Sequence, residues 1–167
     1  MCPAHGISLS DISTRKGELH GTIAQIAKSS SIQKIYQALG ADAQLHLVGG
    51  IFRNLLLENE PGDLDLATVL RTETITERLN AAGIKTYPTG IEHGTLTALI
   101  EAEHFEITTF RQPGSRFRSE FSDSILIDLS GRDFTANALA FNIQNHELID
   151  PYQGLEATLN LQLVAVG

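Results

Sequence analysis

A pair of glycines set between an apolar run and a leucine-rich run, with two aspartates shortly after, constrains this chain more than any other feature. The stretch is "HLVGGIFRNLLLENEPGDLDLAT", residues 46 to 68. "LHLVGG" reads as a short strand ending in glycines, "IFRNLLLENE" as a short helix, and Pro61-Gly62 as its stop. "DLDLAT" is then a second strand. Side chains two apart on a strand point the same way, so Asp63 and Asp65 project from one face while Leu64 and Leu66 face the core. Such a carboxylate pair is unfavourable without a positive partner, and a hard divalent cation with oxygen ligands, such as magnesium, meets that need. Gly49 and Gly50 let the backbone approach a ligand closely, and the following helix aims free N–H groups at the same space. Arg53, about one turn into the helix, can lean back toward an anion with its fork of donors. Each motif alone has an ordinary reading, a tight turn for the glycines and a solvated strand end for the aspartates. Together they describe a site for a nucleoside triphosphate with its metal.

The rest of the chain reads as helices and strands in alternation. "SIQKIYQAL" places Ile32, Ile35, Tyr36 and Leu39 at helical spacing, with Gly40 as the stop, and "GELHGTIAQIAKSSS" is a weaker first helix through Leu19, Ile23 and Ile26 before a serine-rich break. "TETITERLNAAG" is a helix with Ile75 and Leu79 on one face. "KTYPTG" is a strand or a loop, "GTLTALIEA" a strand, and "HFEITTFR" a strand that alternates Phe105, Ile107 and Thr109 against Glu106, Thr108 and Phe110. Residues 112 to 124 carry no period and are expected to form a loop. "DFTANALAF" is expected to be helical, with Phe134, Ala138 and either Leu139 or Phe141 inward. "ELIDPYQGLEATL" reads as a strand end, a turn and a short element. The pattern is that of an α+β domain, a sheet with helices packed on it.

Composition narrows the class. The 167 residues suit one domain, and 42% hydrophobic content suffices for a real core. A formal net charge of -8, from 20 acidic and 12 basic residues, gives no overall attraction to nucleic acid, so any RNA contact must be local or come from elsewhere. No apolar run approaches the roughly 20 residues of a membrane span, so no membrane partner is expected. The single cysteine, Cys2, excludes an internal disulfide and is compatible with a reducing cytoplasm, the expected location. Cys2 and His5 stand at a spacing that metals use, but a structural zinc needs about four ligands. With no second pair, a mobile terminus is expected there.

With these residues in place, the chain resembles the class II tRNA nucleotidyltransferase (CCA-adding) and bacterial poly(A) polymerase family. "GGIFRN" and "DLDLAT" resemble its Gly-Gly-x-x-Arg-Asp turn and Asp-x-Asp strand. "GIEHGTLTALIEAEHFEITTFR" (90 to 111) resembles the strand pair that follows, "GRDFTANALAFN" (131 to 142) its Arg-Arg-Asp-Phe-Thr-x-Asn-Ala motif, and residues 148 to 167 the segments that close the catalytic head. The resemblance implies a polymerase beta-like nucleotidyltransferase palm, a mixed, mostly antiparallel sheet of about five strands flanked by helices. It divides the chain into an N-terminal helical segment (1 to 44) and the catalytic head (45 to 167), with neck, body and tail absent.

The resemblance implies that Asp63 and Asp65 bind Mg2+, that Glu106 is the third catalytic carboxylate, and that Gly49, Gly50 and Arg53 contact the incoming nucleotide. Arg132 would contact its phosphate or ribose, with Asp133 and Asn137 as polar partners. For Glu106 the plainer reading is a surface strand residue, and for Asn137 a structural hydrogen bond. The implied chemistry is template-independent: an RNA 3′-oxygen, on tRNA or another RNA, attacks the α-phosphate of CTP or ATP and pyrophosphate leaves, by a two-metal mechanism. The alternatives are a poly(A) polymerase head, a CC-adding head, and a non-catalytic remnant serving as an assembly module. CC-adding is suggested by a segment between Arg111 and Arg132 that reads as shorter than the family's, where Arg116 and Arg118 are either solvated or touch RNA or phosphate.

Two residues depart from the family pattern. Asn54 stands for an aspartate, where an amide can still accept a hydrogen bond and brace Arg53. Gly131 stands for the first arginine of the third motif and removes a cation. The missing neck, body and tail imply that the grip on RNA lies elsewhere, on a separate chain in one case, and that apolar residues of "LQLVAV" near the C-terminus are poorly covered.

Overall fold

The computed structural model describes residues 8–114 and 120–167, so Cys2, His5, Arg116 and Arg118 lie outside the described residues. Helix α1 (Leu9–Ala27) starts where the Ser8 side chain accepts the Asp11 N–H, and it buries Leu19, Ile23 and Ala27, four residues apart on one stripe. After the serine-rich break, α2 (Ser30–Leu39) buries Ile32, Ile35 and Leu39 and ends at Gly40, whose φ of +83° favours glycine. Tyr36 is only partly buried, at the edge of the core. Both helices share one core with the sheet, so Leu9–Ala27 and Ser30–Leu39 pack on the head.

The sheet is built from β1 (His46–Val48), β2 (Leu64–Thr68), β3 (Lys85–Gly90), β4 (Thr95–Ile100), β5 (Glu103–Thr109), β6 (Ala140–Asn142) and β7 (Leu148–Ile149), in the order β3-β4-β5-β2-β1-β6-β7. Helix α4 (Thr72–Ala81) falls where it is expected, and α3 (Gly50–Leu56) starts where it is expected but ends at Leu56, ahead of the Pro61-Gly62 stop. All pairs are antiparallel except β2 with β5. The expected α+β class and mostly antiparallel sheet therefore hold, with seven strands where about five were expected. The excess comes from the edges: β3 is largely exposed, and β7 is only two residues long. Such short or one-sided strands carry little hydrophobic pattern.

"DFTANALAF" is not a helix. Thr135–Asn137 make a single 3-10 turn, and Ala140–Asn142 form β6 beside β1, with Leu47 opposite Phe141. Leu139, Ala140 and Phe141 are all buried, because this strand is covered on both faces. An unbroken apolar run of that length does not separate strand from helix by period, and β1 needs a partner for its second row of backbone donors and acceptors. Residues 125 to 130, for which no element was expected, form the short helix α5 (Ile125–Ser130). Helix α6 (Gly154–Leu159) follows β7, its first N–H groups held by the Asp150 carboxylate at 2.7 and 3.1 Å.

The core centres on fully buried Phe52, Phe105 and Phe141 among aliphatic side chains. Burial of each stabilises the fold by roughly 1.5–3 kcal/mol. The C-terminal segment behaves as expected: Leu161 is 81% and Leu163 74% exposed. It is tied down by backbone bonds, Thr135 N–H to Val164 O (2.9 Å) and Val166 N–H to Asp133 O (3.1 Å).

Helix α6 presses on the turn that carries Asn137. A Cβ at Gly154 would stand 2.0 Å from the Thr135 carbonyl oxygen, a backbone atom that cannot rotate away. Gly154→Ala is expected to destabilise the protein by about 3 kcal/mol, the upper range for overpacking, read as a lowered midpoint in urea unfolding.

Candidate active site

The pairing of β1 with β2 places Val48 opposite Asp65, so the turn after β1 lies beside the acidic end of β2. Gly49 takes a φ of +84°, and a Cβ there would stand 2.9 Å from Asp65 Oδ2. Position 49 thus needs glycine for conformation and for space. Arg53, in α3, folds back over the start of its own helix: a Cβ at Gly50 would come within 3.0 Å of its Nη2. Strand β2 begins at Leu64, so Asp63 stands one residue ahead of it and is exposed, while Asp65 is half-buried.

These groups line one cavity of about 390 Å³, which Asn54, Arg132, Asp133 and Asn137 complete. All the expected site residues except Glu106 meet there. Glu106 lies on β5 at the same level as Asp65 on β2 and lines a neighbouring cavity of about 610 Å³. Among the described residues, no three His, Cys, Asp or Glu side chains converge closely enough to hold a metal ion. The carboxylates lining the smaller cavity are Asp63, Asp65 and Asp133, and of these Asp133 is already engaged by the Asn137 amide and the Phe134 N–H.

Electrostatics sets Asp65 apart. Burial, then the Glu106 charge, push its carboxyl above the usual range; Arg132 pulls it down, and Asp63 adds a smaller push upward. Paired, partly desolvated carboxylate oxygens suit a hard divalent cation, which would relieve this repulsion. Asp133 is held below the usual range by the Asn137 amide and then by the Phe134 N–H.

The cations are held in place by different partners. Arg53 Nη1 donates to Asn137 Oδ1 at 2.9 Å, and Asn137 in turn donates to Asp133 at 3.2 Å. Asn54 accepts from Arg53 Nη2 at 3.4 Å and donates to the Pro61 carbonyl at 3.2 Å. The expected amide brace is thus present but long. Arg132 Nη2 donates at 2.8 Å to Asp128, a residue outside the expected set whose side chain is 1% exposed. The sequence signal for Asp128 is a lone acid in the apolar run "ILIDLS", four residues before Arg132. At Gly131, a Cβ would stand 2.9 Å from that of Pro113, so the loop root fills the space beside this residue.

With that geometry in view, residues 45–164 match the family described as the poly A polymerase head domain. The chain belongs to that family. Relatives of this head include a CCA-adding enzyme of Bacillus cereus, 36% identical over 146 residues, a match covering 84% of this chain and 35% of the relative. Among solved structures, the Bacillus stearothermophilus CCA-adding enzyme in complex with CTP matches with a TM-score of 0.71 and 34% identity, over 83% of this chain and 34% of that one. A tRNA nucleotidyltransferase complexed with a primer tRNA and an incoming ATP analog matches with a TM-score of 0.56 and 28% identity, over 81% and 36%. The chain spans about a third of the length of these relatives.

The raised pKa of Asp65 makes a prediction about stability. A carboxyl raised in the folded state favours the fold only while protonated, and that contribution is lost as pH rises through its folded pKa. At neutral pH the ionised group therefore works against the fold. Asp65→Asn is expected to raise the melting temperature of the metal-free head at pH 7, with a gain that fades as pH falls to 3.8 and below, read by thermal unfolding across pH.

Proposed function

We propose that this head transfers a nucleotide from CTP or ATP to the 3′ end of a tRNA without a template, releasing pyrophosphate. The observation that carries the reading is the single cavity lined together by Asp63, Asp65, Arg53, Arg132 and the Gly49-Gly50 turn. It is supported by membership of the poly A polymerase head-domain family and by solved relatives in complex with CTP and with a primer tRNA and an ATP analog.

In this reading Gly49 and Gly50 give the triphosphate room to lie against backbone, and Arg53 and Arg132 grip its oxygens by charge-assisted hydrogen bonds. Asn137 and Asn54 hold the Arg53 fork, which lowers the entropy cost of that grip. Asp133 anchors Asn137 and so acts through it. Asp63 and Asp65 would hold magnesium. The chemistry magnesium supplies when bound, as a pair of ions in the two-metal scheme, is charge neutralisation at the phosphates and activation of the 3′-hydroxyl. Glu106, facing the neighbouring cavity, is assigned to the side on which the RNA 3′-hydroxyl arrives, where a carboxylate steadies the departing proton. The 3′-oxygen forms its bond to the α-phosphorus as the bond to the pyrophosphate oxygen breaks, with no covalent protein intermediate.

A net charge of -8 leaves the grip on RNA to other protein segments, in the same chain or in another one. Among the described residues no helix is long and apolar enough to cross a membrane. A non-catalytic remnant is the weaker reading, because nothing in a remnant requires the repulsion that Asp65 sustains.

Titration calorimetry tests the proposal. CTP and ATP are expected to bind in magnesium and to lose at least about tenfold in affinity without it. Asp63→Ala with Asp65→Ala is expected to abolish the magnesium dependence; binding indifferent to magnesium and to these substitutions would overturn the reading. Adding the neck, body and tail of a longer relative in trans is expected to yield incorporation of labelled CMP or AMP into tRNA.

A further inference from the structure

We propose that Asp128 is a positioning residue for nucleotide binding, acting through Arg132. The inference rests on the triphosphate reading of the smaller cavity and adds to it the residue that sets one of its two cations in place.

The Asp128 carboxylate is 1% exposed and spends its oxygens on two different parts of the chain. Oδ1 accepts the Arg111 backbone N–H at 2.8 Å, at the exit of β5, and the Arg111 guanidinium Nε lies 3.8 Å from it. Oδ2 accepts Arg132 Nη2 at 2.8 Å. Helix α5 makes this possible: it is one and a half turns long, it carries Asp128 inward beside buried Leu129, and it ends at Gly131, one residue before Arg132. Asp128 therefore stands in the wall between two cavities. It lines the larger one itself, and the arginine it holds lines the smaller one.

The two pocket arginines differ in how they are held. Arg53 leans on neutral amides. Arg132 is 17% exposed and depends on a buried charge. Its Nε–H is buried without a partner, so the guanidinium keeps donor capacity beyond what Asp128 takes. Its charge already reaches Asp65, which it pulls toward ionisation. A buried carboxylate offers an accepting oxygen to each of two donors and fixes a guanidinium through a short charge-assisted bond, whereas a neutral amide at the same place has one accepting oxygen and no charge. Asp128→Asn keeps the shape and leaves a carbonyl for the Arg111 N–H. What it removes is the negative charge and the second accepting oxygen, the one that Arg132 uses when the carbonyl stays with Arg111.

A double-mutant cycle on the full chain reads this directly, with magnesium-CTP as the probe and thermal unfolding to confirm that each variant is folded. Asp128→Asn is expected to weaken CTP binding about tenfold. In an Arg132→Ala background the same substitution is expected to change affinity less than about twofold. Unchanged affinity in Asp128→Asn, or an equal loss in both backgrounds, overturns the proposal, because a merely structural role would not depend on Arg132. If Asp128→Asn does not fold, Asp128→Glu, which keeps the charge and displaces it by one methylene, goes through the same cycle with the same two outcomes. Failure of the unaltered chain to bind magnesium-CTP overturns the triphosphate reading and this inference with it, whereas binding by the unaltered chain without coupling overturns this inference alone.

Discussion

The pairing of Val48 with Asp65 across β1 and β2 is the constraint on which the rest of the site depends. It brings the glycine turn against the acidic strand end, leaving Gly49 no room for a side chain beside Asp65 Oδ2. The parallel pairing of β2 with β5 then sets Glu106 level with Asp65 on the next strand. The register is rigid because Leu66 and Ile107 are fully buried behind these acids, and a slip of one residue would turn the core side chains outward. The carboxylates thus stay close to one another although their charges oppose it, since the hydrophobic face of the same strands is worth more than the repulsion costs.

The cationic wall is assembled from far along the chain. Asn137 reaches Arg53 across 84 positions, and it does so from a tight 3-10 turn pinned by Gly154 of α6 and by the C-terminal segment. Arg132 is placed by α5, through Asp128. The fold therefore brings two separately supported arginines to one cavity, each with its own hydrogen-bond partners, while leaving the space between them and the aspartates open for a ligand.

This division explains what could be read in the sequence. Gly49, Gly50, Arg53, Asp63 and Asp65 lie in one continuous stretch whose local chemistry announces a shared site, and the elements around them follow hydrophobic period. The helix expected over "DFTANALAF" failed because alanine-rich, fully buried strands show no alternation, and the need of β1 for a second neighbour is a tertiary fact. Asp128 left only a faint trace, an acid in an apolar run, because its importance comes from Arg111 and Arg132, which meet it only after folding. The resemblance supplied Arg132, Asp133 and Asn137, and the structure adds that Asn137 contacts Arg53 and Asp133.

On the proposed function, the balance of charge decides how a triphosphate enters. Asp63, Asp65 and Asp133 face the same cavity as Arg53 and Arg132, and Asp128 already shares the charge of Arg132. A ligand carrying several negative charges meets as much repulsion as attraction from the protein alone, since unit charges a few ångströms apart interact by about 4 kcal/mol near a protein surface. The arginines orient such a ligand without outweighing the acids. Affinity must then come from cations that arrive with the triphosphate or precede it, and these bind best where Asp65 is least content to be ionised. On the proposed reading, the same repulsion that works against the fold would favour a metal-bound nucleotide over a bare one.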